Sequence, residues 1–167
     1  NLSISAWFKT TTDTDPFQTI CSFSNTNDAS TEMSLNVRND KSGNGVGFFN
    51  RNDGVTSVTC EVSGSPSVID GDWHHVVFTA DSGGTKLYLD GVDLPNRVFA
   101  TGDESTEIAM PSDLNQFTIG ANQDSSGEQY YFDGSIDQVR IFNEALTPLE
   151  VKSLYQERTV LCGGQAE

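Results

Sequence analysis

The sequence contains no apolar run approaching the roughly 20 residues that a bilayer-crossing helix needs, so membrane insertion is not expected. It is poor in basic residues: nine Lys and Arg stand against 24 Asp and Glu, a formal net charge of -15. A surface of that sign repels phosphate backbones and anionic headgroups, which excludes nucleic acid and membrane surfaces as first readings. Cysteine is scarce. Cys21, Cys60 and Cys162 lie far apart with no C-x-x-C spacing, so they form neither a dense disulfide framework nor a zinc motif. There is no G-x-S-x-G elbow, neither histidine sits in an H-E-x-x-H frame, and no internal repeat or low-complexity linker divides the chain.

What remains is dominated by period-2 alternation. Leu2, Ile4, Ala6 and Phe8 alternate with Ser3, Ser5, Trp7 and Lys9. Met33, Leu35 and Val37 alternate with Ser34, Asn36 and Arg38, and Val58, Cys60 and Val62 with Ser57, Thr59 and Glu61. Each stretch reads as a strand with one buried and one wet face. Turn clusters separate them, among them Asn25 to Thr31, Asn39 to Asn44 and Asp90-Gly91. Strands spaced at roughly 8–12 residues imply a sandwich or barrel. Trp73 to Thr79 and Ile136 to Phe142 are apolar at both parities and read as central strands covered on two sides. The polar stretch from Leu94 to Leu114 reads as loop.

Cys21 shares its parity with Phe17 and Phe23, and Cys60 with Val58 and Val62, so both point inward, as inert thiols or as a core disulfide. His74 and His75, as strand neighbours, must face opposite sides and cannot share one metal ion. Asp90-Gly91 and Asp133-Gly134 read as turns in which glycine supplies a positive φ. One helix is expected: Thr147-Pro148-Leu149-Glu150 is a capping box with Pro at the first helical position, and Leu146 and Val151 form a hydrophobic staple. Leu154 and Tyr155 continue its apolar face, and the helix is expected to end near Glu157.

Five segments in order carry a family resemblance. Gly71-Asp72-Trp73-His74-His75-Val76-Val77 leads into Lys86-Leu87-Tyr88-Leu89-Asp90-Gly91. Then come Phe117-Thr118-Ile119-Gly120, Phe132 to Phe142, and Asn143-Glu144-Ala145-Leu146 with the capped helix. The series resembles the laminin-G-like jelly-roll modules of the concanavalin A-like lectin/glucanase superfamily, and Ser5-Ala6-Trp7-Phe8 extends the match to the front. The implied fold is all-β: a two-sheet antiparallel jelly-roll sandwich with one short C-terminal helix, residues 1–167 forming a single domain. Such modules start one strand earlier, so the chain reads as a piece of a larger multidomain protein, already past its first strand and any targeting segment. The glucanases of this superfamily carry an E-x-D-x-x-E strand, with carboxyl groups about 5–5.5 Å apart for retaining hydrolysis. That spacing does not occur here, and no enzyme activity is expected.

The loop after Ile119-Gly120 resembles the calcium loop of the pentraxins, a related jelly roll. The resemblance places Asn122, Gln123 and Asp124 in an acid-amide-acid triplet, with Glu128 or Gln129 as later ligands. Asp28, in the Asn25–Thr31 loop, would add a carboxylate, and Asp13 and Asp15 are weaker candidates. All are oxygen donors of the kind Ca2+ takes. Asn in place of the first acid implies a weaker, single-ion site, and the alternative is a polar loop without an ion. Sugar rings stack on aromatic faces beside planar polar groups. Tyr130 and Tyr131 flank this loop and are the candidate glycan contacts, while Phe48, Phe49, Asn50 and Arg51 can line a sheet face. The resemblance implies an extracellular or cell-surface binding module with a glycan ligand, or alternatively a structural or adhesive module that contacts extracellular proteins.

Overall fold

The computed structural model describes residues 1–13, 17–40, 43–52, 55–62, 67–94, 97–101, 105, 108 and 111–161, with side chains omitted at 17, 39–40, 43–44, 55–62, 97–101 and 158–161. Among the described residues thirteen strands precede one helix: β1 Leu2–Lys9, β2 Phe17–Asn25, β3 Asp28–Asp40, β4 Gly43–Asn52, β5 Val55–Val62, β6 His74–Asp81 and β7 Gly84–Leu89. These are followed by β8 Val92–Asp93, β9 Arg97–Thr101, β10 Gln116–Ile119, β11 Asn122–Asp124, β12 Gly127–Gln129, β13 Ser135–Phe142 and α1 Pro148–Leu161. A five-stranded sheet runs β13-β1-β6-β7-β8 and a six-stranded sheet runs β10-β2-β3-β4-β5-β9. The short hairpin β11-β12 stands apart from both. Every pairing is antiparallel. This is the expected jelly-roll sandwich.

The alternating residues meet between the sheets. Ile4, Ala6, Phe8, Val76, Phe78 and Leu87 come from one layer, and Cys21, Met33, Leu35, Val37, Val46 and Phe48 from the other. Phe48 and Phe78 stack across the interface, with ring centroids 3.5 Å apart and planes 6° apart. Burying each such side chain stabilises by about 1.5–3 kcal/mol. The outer face of the five-stranded sheet is covered in turn by α1, through Val77, Tyr88, Leu146 and Val151. Trp7, His75 and Tyr155 extend that second contact as a ring stack. The capping box forms as expected: the Thr147 amide donates to Glu150 Oε2 at 2.8 Å, and the Glu150 amide donates to Thr147 Oγ1 at 3.4 Å. The helix extends to Leu161, beyond the expected end at Glu157.

Several expectations require correction. Ser3 and Ser5 are buried, not wet, because β1 is an interior strand whose outer face lies under the α1 segment. Ser3 Oγ donates to the Glu144 carbonyl and accepts the Leu146 amide, and Ser5 Oγ lies 2.8 Å from His75 Nε2. β13 is an edge strand, not a central one, and Ile141 is 47% exposed. Its alternation is broken by a bulge at Gln138, which has φ 50°. The stretch from Leu94 to Leu114 contains β9, which lies on an edge of the six-stranded sheet. A register shift between Thr19 and Cys21 puts Gln18, not Phe17, opposite inward-facing Val37. Asp133-Gly134 is not a hairpin turn. A Cβ at Gly134 would come 2.1 Å from the Lys9 carbonyl oxygen, so this glycine permits a close backbone approach. Asp90-Gly91 is a two-residue hairpin turn, with φ of 51° and 78°.

Cys21 is buried and unbonded. Cys60 stands opposite Phe48 in the register, an inward position, while its side chain and all of Cys162 lie outside the described residues. The disulfide alternative fails on topology. β2 and β5 are separated by β3 and β4, so three inter-strand spacings, roughly 14 Å, divide Cys21 from Cys60. A disulfide needs Cα atoms within about 7 Å.

Candidate functional site

The helix covers one outer face of the sandwich and leaves the other to the hairpin β11-β12. On this bare face β3 turns Glu32, Ser34, Asn36 and Arg38 outward, because Met33, Leu35 and Val37 occupy the core. Their neighbours across the ladder are Thr19 on β2, and Phe49 and Arg51 on β4. Together with the hairpin they enclose a cavity of about 350 Å3. That lies in the size range of small-ligand clefts.

The floor is a continuous polar network. Thr19 Oγ1 donates to Asn36 Oδ1 at 3.0 Å, and Asn36 Nδ2 donates to Ser34 Oγ at 3.1 Å. At one end Glu32 is buried, with one carboxylate oxygen 3.1 Å from the Arg51 guanidinium and the other accepting the Asn122 amide. Burial pushes the Glu32 carboxyl above its usual range, against the opposing pull of Asn122 and Arg51. The Arg51 guanidinium also donates to the Ala29 carbonyl and lies 5.7 Å from the Phe49 ring centroid. Arg51 thus ties the start of β3 to β4, and Asn122 ties the hairpin to both.

The candidate loop is therefore a hairpin, and its pairing sorts the candidate residues by face. Asn122 pairs with Gln129 and Asp124 with Gly127, while Gln123 pairs with Glu128. Asn122, Asp124 and Gln129 line the cavity; Gln123 and Glu128 do not. Asp124 is buried, accepting the Ser126 amide at 2.6 Å and the Gln129 side-chain amide at 3.0 Å. Asp28 is also outside the lining. Its carboxylate accepts the hydroxyl and the amide of Ser30, and these bonds hold it below its usual range. Among the described residues, no three His, Cys, Asp or Glu side chains group as a metal centre. Glu32, Asn122 and Asp124 line the same cavity, and the Asn122 side-chain amide donates to Glu32. Asn122 Oδ1 is buried without a hydrogen-bond partner.

The two tyrosines separate as well. Tyr130 lines the cavity, 38% exposed, at φ 54°. Its carbonyl accepts the Thr19 amide at 2.9 Å, which anchors the Tyr130 backbone to β2. A non-glycine residue in this region is strained, and such residues concentrate at ligand sites. Tyr131 is 58% exposed outside the cavity, with its hydroxyl 3.2 Å from Glu128. Phe49 and Arg51 line the cavity, whereas Phe48 and Asn50 are buried at the opposite parity. Sequence reasoning missed Thr19, Glu32, Ser34, Asn36 and Arg38. Their only signal was the polar half of the β3 alternation, which reads as an ordinary wet face.

The profile of the Laminin_G_3 family, within the concanavalin A-like lectin/glucanases superfamily, matches residues 1–152. The chain belongs to that family. Similar curated proteins are the sushi, von Willebrand factor type A, EGF and pentraxin domain-containing protein 1 of Rattus norvegicus, 30% identical over 103 residues, and that of Mus musculus, 31% identical over the same length. The match covers 56% of this chain and only 3% of either relative. Among solved structures, this Laminin_G_3 chain is similar to the CBM40 of a Ruminococcus gnavus IT-sialidase, with a TM-score of 0.73 at 20% identity, covering 92% of this chain and 82% of that one. Domain 4 of the Geobacillus stearothermophilus extracellular arabinanase AbnA, in complex with arabinotriose, gives 0.66 at 23% identity, with coverage of 93% and 66%. The Streptococcus pneumoniae NanB sialidase gives 0.69 at 22% identity, but only 23% of that chain is covered. At these identities the shared property is the lectin-like fold. No helix among the described residues is long and apolar enough to cross a membrane.

Proposed function

We propose that this Laminin_G_3 domain is a non-catalytic glycan-binding module whose ligand occupies the outer face of the six-stranded sheet. The observation that carries the reading is Tyr130, held in a strained conformation over a cavity floored by Thr19, Ser34 and Asn36. An exposed ring beside planar polar side chains is the arrangement that recognises a sugar. Similar solved structures include a carbohydrate-binding module bound to α2,3-sialyllactose and an arabinanase domain bound to arabinotriose, which supports the same ligand class. The non-catalytic part rests on the two cavity carboxylates. Glu32 is tied to Arg51 and Asn122, and Asp124 to Ser126 and Gln129, so their bonds are made within the protein. An extracellular setting within a larger multidomain chain agrees with the domain names of the curated relatives.

A glycan-binding screen tests this, with Tyr130→Asn and Tyr131→Asn as paired variants, since Asn tolerates positive φ. The Tyr130 variant should lose binding roughly tenfold, about the worth of a good aromatic contact. The Tyr131 variant should match wild type. Equal binding by wild type and the Tyr130 variant would remove the site from this face.

Calcium is the second element of the proposal. Asn122 would hold the ion through its unpartnered buried Oδ1, with Glu32 and Asp124 exchanging part of their hydrogen bonds to protein groups for the metal. Calcium supplies charge and fixed oxygen geometry when bound. Wild type should then melt higher in millimolar calcium than in chelator, and Asp124→Asn should abolish that difference. Identical wild-type melts would leave the glycan reading without a metal.

A specific observation favours the protein-contact alternative. Phe117 and Ile119 on edge strand β10, and Ile141 on edge strand β13, are 38%, 53% and 47% exposed. Apolar residues along open strand edges suit a protein partner. Retained partner binding by a Tyr130 variant would favour it.

A further inference from the structure

The helix α1 is fastened to the outer face of the five-stranded sheet in two ways. Its first half rests on apolar contact, Leu146 and Val151 packing with Val77 and Tyr88 behind the capping box. Past Val151 the fastening is aromatic. Tyr155 stacks on Trp7, ring centroids 5.6 Å apart, and its ring lies 6.1 Å from that of His75. It also rests on the β7–β8 turn, where a Cβ at Gly91 would meet it at 3.1 Å. Glu157 reaches Arg140 on β13 at 2.7 Å, but both side chains are more than a third exposed, so that pair contributes little. A helix of 14 residues is marginal in water without such docking.

Beneath this second fastening lies a group that can change charge. His75 is 1% exposed, its Nε2 is 2.8 Å from Ser5 Oγ, and its Nδ1 is buried with no hydrogen-bond partner. A protonated imidazole carries a hydrogen on both nitrogens and needs an acceptor for each. Among the described residues the charged groups facing it are Asp90 from the β7–β8 turn, Arg140 from β13 and Glu157 from α1. The two Asp90 oxygens are engaged by the His74 ring and the His75 amide, and Glu157 by Arg140, while Arg140 itself repels a second positive charge. Ser5 and Trp7 from β1 and Tyr155 from α1 complete the surroundings and are uncharged. The docked arrangement therefore has no place for the proton, and water supplies one only when α1 lifts.

We infer that α1 is an acid-released cover: proton uptake by His75 undocks the helix beyond Val151 and uncovers Trp7 and the imidazolium, while the sandwich stays folded. Burial holds the His75 pKa at about 4 in the docked state, against a usual 6.5. Docking is therefore complete above 6.5, and the undocked state gains up to about 300-fold as pH falls through that interval. The surface uncovered lies on the opposite side of the sandwich from the cavity, so the inference is independent of the glycan-binding reading.

Hydrogen exchange of the intact chain tests this, with each amide's rate corrected for its intrinsic pH dependence. From pH 7 to 5 the opening of the amides at Leu154 to Glu157 should increase roughly twentyfold, and those of β3 and β6 should not follow. His75→Phe keeps the ring stack and should leave α1 exchange flat over the same range. Equal pH dependence in α1 and in β6 would make the event global unfolding and overturn the inference, as would an undiminished response in folded His75→Phe. NMR titration of the His75 imidazole in Tyr155→Ala is a second reading that does not need the phenylalanine variant. Removing the covering ring should bring the midpoint up from about 4 towards 6.5. An unchanged midpoint shows that α1 does not cover the imidazole, and the inference fails.

Discussion

His74 and His75 are adjacent on β6 and face opposite sides of its sheet, with opposite charge environments. His74 is clamped between Asp90, 2.8 Å from its Nδ1, and Asp70, 3.2 Å from its Nε2, on the side where its ring tilts against Phe8. His75 is buried beneath α1 against Trp7 and Tyr155, with Ser5 as its hydrogen-bond partner. Asp90 links the two, because its other carboxylate oxygen accepts the His75 amide at 2.9 Å. The Asp90 hydrogen bond raises the pKa of His74 above its usual range, while burial depresses that of His75 to about 4.

The pair therefore contributes opposite slopes to stability against pH. Between about 6.5 and 4 the unfolded chain protonates at His75 and the native chain does not, so stability falls as pH is lowered through that window. The full effect is on the order of 3 kcal/mol. The contribution of His74 is complete below its unfolded pKa and is lost as pH rises through its raised folded value. Denaturant titrations from pH 5 to 8 should show a flatter acid side for His75→Phe than for wild type. His74→Asn should steepen the rise toward neutral pH. Parallel curves for all three proteins would contradict the assigned environments.

Gly134→Ala should be among the costliest single-methyl additions. The new Cβ would meet the Lys9 carbonyl oxygen at 2.1 Å, and backbone atoms on two strands cannot move aside independently. A loss of about 1–3 kcal/mol is expected, as for overpacking elsewhere. Gly127→Ala provides the contrast, since nothing lies within 4 Å there and only the positive φ of 105° opposes it. Chemical denaturation of both variants distinguishes steric contact from backbone strain, and equal losses would refute the close approach.

Thr147→Ala removes the hydroxyl that completes the capping box of α1. The expected cost is about 0.5–2 kcal/mol. Because the box is exposed and far from the hairpin site, the loss should be the same with and without calcium or glycan. A ligand-dependent difference would couple the helix to the cavity.

Cys21 should resist alkylation in the native state. Burial pushes its thiol up to about 12, so almost no thiolate is present at neutral pH and the sulfur is inaccessible as well. Mass spectrometry after brief labelling should find Cys21 unmodified until denaturant is added. Rapid native labelling would place β2 in a different register.

The sequence by itself determined the layers. Alternation at Leu2 to Phe8 and at Met33 to Val37 named the inward residues correctly, because period 2 leaves each strand residue only two faces. The capping box marked the start of α1, because those hydrogen bonds close within four residues. What the sequence could not determine was which outward faces stay wet. Ser3 and Ser34 read alike, yet one lies under the α1 segment and the other floors a cavity, a difference set by strands and loops more than 80 residues away. Parity also failed where a bulge intervened, at Thr19/Cys21 and at Gln138, since one extra residue exchanges the faces. The candidate loop became a hairpin that divided five of the proposed ligands between its two sides, while Asp28 lies on β3. Tertiary structure alone brought Glu32, Arg38 and Arg51 to Asn122 and Tyr130, because long-range strand pairing decides which polar residues share a cavity.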